Sequence, residues 1–509
     1  MTATFGERLR GQAARRPGKT AVVDRDRRVT YAELDRLVDA VAAGLLARGV
    51  QPGEVVSSQL PNWLESVVLF YATNRIGAIH NPIGSILGAR EVRFILAQAR
   101  SVVLVVPRVF RGTDHAAMAA RVQPSLPELR TVLVLDDEGL VFNQDGDANG
   151  SGSYAPPAAD AGDVAVLLYT SGTTAEPKGV LHSHRTLLAE CEAMAAYYGL
   201  GDDDGFVMPS PVSHISGLLY GVLMPVHVGG TSVLMDMWDP TSFLELVARE
   251  RATFSAGATP FLAGVVEHPD LSRFDHSSLR TFPCGGADVP PELIHHAIAR
   301  LGVRTGRGYG STEFPSITSS AGSDDPDEKR AETDGRPIGP NRVVLRDGHI
   351  WARGPELFLG YCDAALNAAA FDDDGFFCTG DLGIVDDDGY LTITGRAKEI
   401  VIRAGEKFST KEIEDLLFEH PKVAEVAVVP VPDARVGEQA CAFIVPRVAD
   451  DPPTLAELAH FLTAKELSRR KVPERLEVVD ELPMTASGKV QKHLLVQRVR
   501  EEAERRGGS

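Results

Sequence analysis

The polar and apolar positions near the start of the chain predict an amphipathic helix that begins after Thr30. The segment TYAE, from Thr30 to Glu33, has the spacing of a capping box, in which a hydroxyl and a carboxylate accept each other's backbone N–H groups. Apolar residues then recur at helical spacing up to Gly49, a residue that favours the end of a helix. These apolar positions are Leu34, Leu37, Val38, Val41 and Leu45.

Short, wholly apolar runs alternate with helical stretches in the first part of the chain. Three such runs cover residues 102–106, 132–135 and 164–168. Strands that are buried on both faces have this pattern, and their alternation with helices predicts a layered α/β sheet. Residues 145–160 are rich in Gly, Ser, Pro and Asp, so we expect an exposed loop there.

The pattern changes after about residue 386 into a second series of short elements. A turn at 386–389 and a strand at 390–394 are followed by further strands at 400–403, 423–431, 440–445 and 476–479. Helices are expected from Ser409, over 455–467 and from Val490. This series forms an α+β unit of roughly 110 residues, a normal domain size. We therefore predict a large layered α/β domain over residues 1–397 and a small α+β domain over residues 398–509.

Composition excludes several classes of protein. With 44% hydrophobic and 24% charged residues among 509, the chain is neither disordered nor fibrous. Its 52 Lys and Arg against 70 Asp and Glu give a net charge of −18, which argues against binding to nucleic acid or to an anionic membrane surface.

The cysteines and the N-terminus bear on the compartment. The five cysteines are scattered and contain no C-x-x-C, which suits neither a disulfide scaffold nor a zinc site and fits a reducing compartment. The first residues lack an apolar signal core, and no run approaches the ~18 apolar residues that span a bilayer. We expect a soluble, cytoplasmic enzyme without a membrane span.

The most informative segment follows the apolar run 164–168. Between Tyr169 and Gly179 the chain presents small hydroxyl groups or open backbone and then Lys178, which are the groups that a polyphosphate requires. The segment is not a P-loop, because Pro177 precedes the lysine where that motif needs glycine. A dinucleotide fingerprint at 306–311 fails because Ser311 stands at its third glycine. For an arbitrary cluster of this composition, a flexible surface loop is the commoner interpretation.

The complete string YTSGTTAEPKGV (169–180) resembles the signature loop of the AMP-forming adenylate synthetases. This superfamily contains acyl-CoA synthetases, adenylation domains of peptide synthetases and firefly-type luciferases. Six further segments follow in the family's order: PVSHISG (211–217), CGGA (284–287), GYGSTE (308–313), TGD (379–381), GRAK (395–398) and PMTASGK (483–489). On these seven ordered motifs, the chain is identified as a member of the superfamily.

The resemblance implies a two-step reaction. A carboxylate attacks the α-phosphorus of ATP and expels pyrophosphate, which leaves an acyl-AMP, and a thiol, usually that of coenzyme A, then attacks the acyl carbon and releases AMP. The implied cofactors are ATP, Mg²⁺ and CoA, and the implied partner is a small-molecule carboxylic acid. A homodimer is compatible with this interpretation.

The resemblance also assigns nucleotide contacts residue by residue. The residues implied to hold the β- and γ-phosphates are Thr170, Ser171, Gly172, Thr173, Thr174 and Lys178. Glu313 matches the carboxylate that binds Mg²⁺, and Thr312 would contact the α-phosphate; without the resemblance, Glu313 would be a solvated surface acid. The residues implied to contact the ribose or to form the adenine slot are Asp381, Arg396, Gly285, Gly286 and Tyr309. In isolation, the glycine pair would simply be a turn.

The small domain carries three implied functional residues. Lys489 is similar to the family's lysine that reaches the α-phosphate and carboxylate oxygens during adenylation, although a solvated basic helix would explain its surroundings equally well. Lys398 matches the hinge about which the small, mobile domain is thought to move between the two steps. Gly405 resembles the glycine that lines the pantetheine tunnel.

The acyl pocket is implied by residues around the middle motifs. His214 matches an aromatic or histidine residue of the pocket, with a hydrogen-bonded structural histidine as an equal alternative. Ile215 stands where peptide-synthetase domains hold an aspartate for the substrate amine, which argues against amino-acid activation. The other candidates are Gly217, Tyr220, Ala258, Thr259, Pro260, Phe261, Gly310 and Phe314. They are mainly apolar or small, which favours a hydrophobic carboxylic acid, bulky and cyclic acids included.

Segments QLPNW (59–63) and VPRVFR (106–111) further resemble the cyclohexanecarboxylate-type and short-to-medium-chain CoA ligases. Two departures from the family pattern, Ala175 and Ala404, each replace a glycine. They leave open a specialised enzyme that mainly transfers a supplied acyl-adenylate to the thiol. An adenylating enzyme that loads a carrier protein is the other alternative, whereas a non-catalytic sensor is disfavoured by the intact Glu313, Asp381, Lys398 and Lys489.

Overall fold

A computed structural model describes residues 3–135, 159–170, 177–397, 399–403, 406–433, 436–485 and 488–507. The predicted first helix is present over Tyr31–Ala47, and both capping-box hydrogen bonds join Thr30 and Glu33. Its predicted apolar face is buried except at Leu37, which is 40% exposed. The predicted loop at 145–160 falls almost entirely on residues outside the described ranges.

The predicted apolar runs form part of the central sheet, which has seven strands among the described residues. In spatial order these strands are Gly360–Tyr361, Gly179–Ser183, Val164–Tyr169, Ile79–Pro82, Val55–Ser58, Val103–Pro107 and Thr131–Leu135. Pairing is parallel from Val164–Tyr169 to the Thr131–Leu135 edge and antiparallel on the other side. The candidate phosphate segment therefore joins two neighbouring antiparallel strands, leaving the sheet at Tyr169 and re-entering it at Gly179.

A second sheet of the large domain combines strands that are far apart in sequence. Its order is Gly205–Met208, Thr231–Leu234, Thr20–Asp24 and Arg27–Thr30. The large domain's other helices are Phe5–Arg15, Leu64–Arg75, Ala89–Ala99, His115–Val122, His184–Tyr198, Ile215–Leu218, Met224–Val228, Pro240–Glu250, Thr259–Val266, Pro291–Leu301, Asp327–Glu332 and Asn367–Ala370. The longest buried helix, Leu64–Arg75, has no exposed residue, so a sheet and helices cover it on all sides.

Two smaller sheets carry most of the later sequence motifs. One contains Cys284–Gly285, Arg307–Tyr309, Thr318–Ser319 and Arg336–Pro337. The other is antiparallel and contains Arg342–Arg346, His349–Arg353, Phe377–Val385 and Leu391–Arg396. Their strand ends bring the GYGSTE, TGD and GRAK motifs to one side of the domain.

The small domain is the predicted α+β unit. Its sheet contains Glu406–Ser409, Ile400–Arg403, Gly437–Pro446, Val423–Asp433 and Arg475–Val478, and its helices are Thr410–Phe418, Leu455–Ala464 and Lys492–Gly507. Strand Leu391–Arg396 still pairs within the large domain, whereas Ile400–Arg403 pairs within the small one. The predicted boundary after residue 397 falls in this interval and stays a prediction. The fold class, a mixed α/β protein with one large and one small domain, is confirmed.

Two sequence expectations concern the chain as a whole. The five cysteines, all within the described ranges, form no disulfide bond with one another. Over the described ranges, no helix is both long enough and apolar enough to cross a bilayer.

Candidate functional site

A cleft between the two domains collects the motif residues. Thirteen of the predicted site residues line it: Thr170, Lys178, His214, Thr259, Pro260, Gly286, Tyr309, Gly310, Thr312, Glu313, Asp381, Arg396 and Lys489. Ser171, Gly172, Thr173, Thr174, Ala175, Lys398, Ala404 and Gly405 lie outside the described residues. The loop contacts, the hinge and the pantetheine contact therefore stay predictions.

The described ends of the phosphate segment are held together. The N–H of Thr170 donates to the carbonyl of Lys178 at 3.0 Å, and the Lys178 N–H donates to Thr170 Oγ1 at 3.3 Å. The ammonium group of Lys178 lies 4.9 Å from the ring centre of Tyr361, within the range of a cation–π contact. The contact with Tyr361 thus holds the Lys178 side chain against the wall of the cleft.

Glu313 and the residue before it are fixed by contacts from two other segments of the chain. The hydroxyl of Tyr361 donates to Glu313 Oε1 at 2.7 Å, and the Phe358 N–H donates to the Glu313 carbonyl at 2.9 Å. His182 donates from Nε2 to the carbonyl of the preceding residue, Thr312, at 2.8 Å, and burial lowers the pKa of His182 to about 4, so this imidazole is neutral. Tyr361 was not among the predicted site residues. It lies outside the seven sequence motifs, and the Gly360-Tyr361 pair alone would have been only a weak indication of its role.

The segment 310–317 is a tight loop that separates cleft residues from core residues. A Cβ atom at Gly310 would lie 1.9 Å from the carbonyl oxygen of Pro315, so only glycine fits. The Ser311 N–H donates to the Phe314 carbonyl at 2.9 Å, which closes the turn. Thr312 and Glu313 therefore face the cleft, while Phe314 is fully buried against Ile350 and its neighbours. The expectation that Phe314 belongs to the acyl pocket stays a prediction.

Asp381 and Arg396 face each other across two antiparallel strands. Their Cα atoms are register partners, and Arg396 Nε lies 3.3 Å from Asp381 Oδ1. The hydroxyl of Tyr309 donates to Asp381 Oδ2 at 2.7 Å. Burial raises the pKa of Asp381, and the Arg396 guanidinium opposes that rise. Both oxygens are thus oriented, and each retains a lone pair for a further donor.

The two glycines predicted to form the adenine slot are needed for different structural reasons. A Cβ atom at Gly285 would lie 2.1 Å from the Gly308 carbonyl oxygen, because strands Cys284–Gly285 and Arg307–Tyr309 pair closely. Gly286 has φ +81°, and a Cβ atom there would lie 3.5 Å from Lys489 Cε. Gly286 is therefore both a left-handed position and the surface over which the lysine stem passes.

Lys489 projects from the small domain into the large-domain cleft. Its N–H donates to Thr485 Oγ1 at 3.0 Å, and its carbonyl accepts the Thr485 N–H at 2.8 Å, so it stands at the end of a short closed loop. Burial and then the Arg396 charge lower the pKa of Lys489, the charges of Glu313 and Asp381 partly oppose this, and the net pKa is about 8. The ammonium group of Lys489 therefore lies close enough to Glu313 and Asp381 for their charges to affect it.

An ionic contact between the domains was not foreseen from the sequence. Lys411 Nζ lies 3.2 Å from Asp288 of the large domain and 2.9 Å from Asp415 of its own helix. Lysine in the first turn of a helix is opposed by the helix dipole, so Lys411 is a position where an external carboxylate partner is favoured. That unfavourable placement is the signal that could have indicated the contact.

The acyl-pocket candidates divide into two groups. His214, Thr259, Pro260 and Gly310 line the cleft, whereas Gly217, Tyr220, Ala258, Phe261 and Phe314 are buried in packed surroundings. A Cβ atom at Gly217 would lie 2.0 Å from the Pro211 carbonyl oxygen, and Phe261 packs against Trp238 at 4.9 Å between ring centres. Tyr220 packs against Phe254 at 5.2 Å. That these five contribute to the acyl pocket stays a prediction.

His214 combines both of its predicted interpretations. Its Nδ1 lies 2.8 Å from Ser216 Oγ and accepts the Ser216 N–H at the start of helix Ile215–Leu218, which is a structural contact. The ring also lines the cleft, where burial first and then the charge of Lys489 lower its pKa to about 3. A neutral imidazole thus faces the lysine tip.

A magnesium ion fits the cleft only with help from a substrate. Over the part of the chain that the structure describes, no group of three or more His, Cys, Asp or Glu residues is arranged to hold a metal. Glu313 lines the cleft, and one of its carboxylate oxygens accepts the Tyr361 hydroxyl, so its other oxygen could contact a cation there. Mg²⁺ characteristically uses one or two carboxylates together with phosphate oxygens and water, and the donor set agrees with that use.

Comparison with known proteins agrees with this geometry. The family model described as AMP-binding enzyme matches residues 9–362, and that described as AMP-binding enzyme C-terminal domain matches residues 412–489. The medium-chain fatty-acid–CoA ligase of Escherichia coli (strain K12) is 34% identical, covering 94% of this chain and 87% of the ligase. A 3-[(3aS,4S,7aS)-7a-methyl-1,5-dioxo-octahydro-1H-inden-4-yl]propanoyl:CoA ligase of Mycobacterium tuberculosis is 35% identical, covering 94% and 95%.

Solved structures match over nearly the whole length. ATP-bound MatB from Rhodopseudomonas palustris superposes with a TM-score of 0.87 at 30% identity, covering 98% of this chain and 99% of MatB. Apo MatB, at the same identity, gives a TM-score of 0.75. On the family models, the curated relatives and the cleft, the chain belongs to the AMP-binding enzymes of the adenylate-forming superfamily and is an AMP-forming enzyme of the acid–CoA ligase family.

Proposed function

We propose that this protein activates a hydrophobic carboxylic acid as an acyl-AMP, using ATP and Mg²⁺, and transfers the acyl group to the thiol of coenzyme A. The observation that carries the proposal is the approach of Lys489 to Glu313, Asp381 and Arg396 within one cleft. An anion that attacks a polyanion needs fixed positive charge where negative charge develops. Lys489, Lys178 and Arg396 supply such charge from three directions.

The roles proposed for the nucleotide follow from the donors present. Asp381, oriented by Tyr309 and Arg396, would accept ribose hydroxyl groups, and Thr312 would donate to the α-phosphate. Glu313 would hold Mg²⁺, which supplies charge neutralisation for the phosphates. Lys489 would bind the α-phosphate and acyl carboxylate oxygens, since its stem crosses Gly286 into the cleft.

The proposed acid is hydrophobic because the described acyl wall is mostly apolar. Pro260, Ile215 and Ala263 line the cleft beside a neutral His214, with no charged group among these four to pair with a substrate amine. The two relatives named above act, by name, on a medium-chain fatty acid and on a bicyclic propanoate. Both bulky or cyclic acids and medium-chain acids are therefore within the proposed class.

A panel of acids tests this proposal. We expect AMP formation with CoA present to be fastest for medium-chain and alicyclic monocarboxylic acids and at background for amino acids and for dicarboxylic acids. Activity confined to amino acids would contradict the proposed class. Running the panel with a carrier protein in place of CoA, and ATP–pyrophosphate exchange without any thiol, separates CoA ligation from carrier loading and from transfer of a supplied adenylate.

The low pKa of Lys489 predicts the pH dependence of the adenylation step. A lysine is cationic below its pKa, so kcat/KM for ATP–pyrophosphate exchange should be constant at neutral pH and fall as the pH rises through about 8. The Lys489→Arg variant, whose guanidinium stays protonated, should keep whatever activity it has to a higher pH. An unchanged fall near pH 8 in the arginine variant would assign the titration to another group.

A further inference from the structure

Two carboxyl groups that the proposed chemistry does not use meet in the interior behind the loop 310–317. Glu190 lies on helix His184–Tyr198, and Glu356 lies four residues before strand Gly360–Tyr361; both side chains have no exposed surface. The two carboxyl groups are within hydrogen-bonding reach of each other. Among the described groups that most strongly influence the charge of Glu190 and Glu356, none is a lysine or an arginine.

An account of the four carboxyl oxygens indicates a shared proton. Glu190 Oε1 accepts the Ser316 hydroxyl at 2.5 Å, and Glu356 Oε2 accepts from Asn341 Nδ2 at 2.7 Å. The remaining oxygens, Glu190 Oε2 and Glu356 Oε1, have no donor among the described residues. Two ionised carboxylates in contact would repel each other in an interior that cannot solvate them, whereas one proton between these two oxygens satisfies both.

The electrostatic surroundings agree with that account. Burial, and then the neighbouring Glu356, raise the pKa of Glu190 well above its usual range, and burial raises the pKa of Glu356 to about 7. Cys191 and the nearby tyrosines Tyr198 and Tyr220 are themselves neutral, because burial raises the pKa of each. Tyr220, first expected in the acyl pocket, shares the Ser316 hydroxyl with this network.

The two segments that carry Glu190 and Glu356 also contact the loop that carries Glu313. Ser316 follows Glu313 by three residues. Asn341 Nδ2 also donates to the carbonyl of Ser316, at 3.0 Å. The segment that carries Glu356 continues to Phe358 and Tyr361, which bind the Glu313 main chain and side chain. The helix that carries Glu190 continues the strand of His182, which binds the Thr312 carbonyl.

We infer that Glu190 and Glu356 form a proton-sharing pair that positions the Glu313 carboxylate for Mg²⁺ and nucleotide. They are positioning residues, since neither lines the cleft. The inference rests on the proposed function for the role of Glu313 itself. The pair joins helix, loop and strand at a single point, so a change in its protonation shifts the loop that presents Thr312 and Glu313.

A series of glutamine variants tests the shared proton. In Glu190→Gln, the amide N–H replaces the proton toward Glu356, while the amide oxygen still accepts from Ser316. In Glu356→Gln, the amide N–H likewise points toward Glu190, and the amide oxygen still accepts from Asn341. Each single variant should keep kcat/KM for ATP–pyrophosphate exchange within about threefold of wild type. In the double variant, two NH₂ groups face each other. One amide can avoid this only by rotating, and it then loses its hydrogen bond from Ser316 or Asn341. Its activity should fall about tenfold further than the product of the single effects.

A second readout separates positioning from mere stability. In the double variant, the Mg²⁺ concentration for half-maximal exchange should rise several-fold, with the KM for the acid unchanged. A folded double variant with an unchanged Mg²⁺ requirement, or single effects that simply multiply, would overturn the inference.

Infrared spectroscopy on the resting enzyme covers the case in which the double variant does not fold. The wild type should show a protonated-carboxyl band at neutral pH that is missing in either single variant. Persistence of that band in both single variants would exclude the shared proton. Glu313→Gln serves as the separate test: if that variant adenylates normally, the proposed function of Glu313 fails, whatever the behaviour of the pair.

Discussion

Replacing Lys489 with alanine is expected to slow ATP–pyrophosphate exchange by about 10²–10³-fold, because the variant loses the small-domain cation that lies beside Glu313, Asp381 and Arg396. The hydrogen bonds that close its loop involve only its backbone and Thr485, so the local fold should be retained. Thioester formation from chemically prepared acyl-AMP and CoA should continue, since that step needs no charge on the α-phosphate region.

The two half-reactions should therefore be measured separately on the same preparation. Lys465→Ala is a matched control, because that lysine is surface-exposed and pairs with Glu419 far from the cleft. Near-wild-type exchange is expected for the control. Equal loss of both half-reactions in Lys489→Ala would contradict the role proposed for the lysine.

The second large effect is expected for Glu313→Gln. The amide is isosteric and its oxygen still accepts the Tyr361 hydroxyl, so the loop should keep its conformation. The negative charge that would hold Mg²⁺ is lost, and we expect adenylation to fall about a hundredfold at fixed Mg²⁺, with partial recovery as Mg²⁺ is increased. Exchange rates titrated with MgCl₂ at saturating ATP measure this.

Glu328→Gln, on the exposed helix Asp327–Glu332, removes the same charge elsewhere and should have no effect. If Glu313→Gln shows a reduced rate with no dependence on Mg²⁺, Glu313 acts through something other than the metal. If it shows a normal rate, it is not part of the adenylation machinery.

Local signals in the sequence predicted the elements well, because they depend on neighbouring residues. The capping box at Thr30 and Glu33 and the apolar runs around Val103–Pro107 and Val164–Tyr169 need only a few consecutive positions to be recognised. The motif order similarly indicated which residues meet in the cleft, and thirteen of them line it. What the motifs could not give is which way a loop residue points.

Adjacent residues of the loop 310–317 illustrate that limit. Glu313 faces the cleft and Phe314 the core, a division set by the contact of Gly310 with the Pro315 carbonyl and not by any periodicity of the sequence. Contacts between residues that are distant in sequence could not be predicted either. Tyr361 lies 48 residues from Glu313, and only the assembled strands bring them to 2.7 Å.

The closed loop beneath Lys489 has a thermodynamic consequence for catalysis. Because Thr485 fixes both the amide and the carbonyl of Lys489, the backbone at the tip has already given up its torsional freedom before any nucleotide arrives. The side-chain rotamers of Lys489 remain to be ordered, with its stem lying close to Gly286. Preorganisation of this kind leaves more of the lysine–phosphate attraction available to lower the activation barrier.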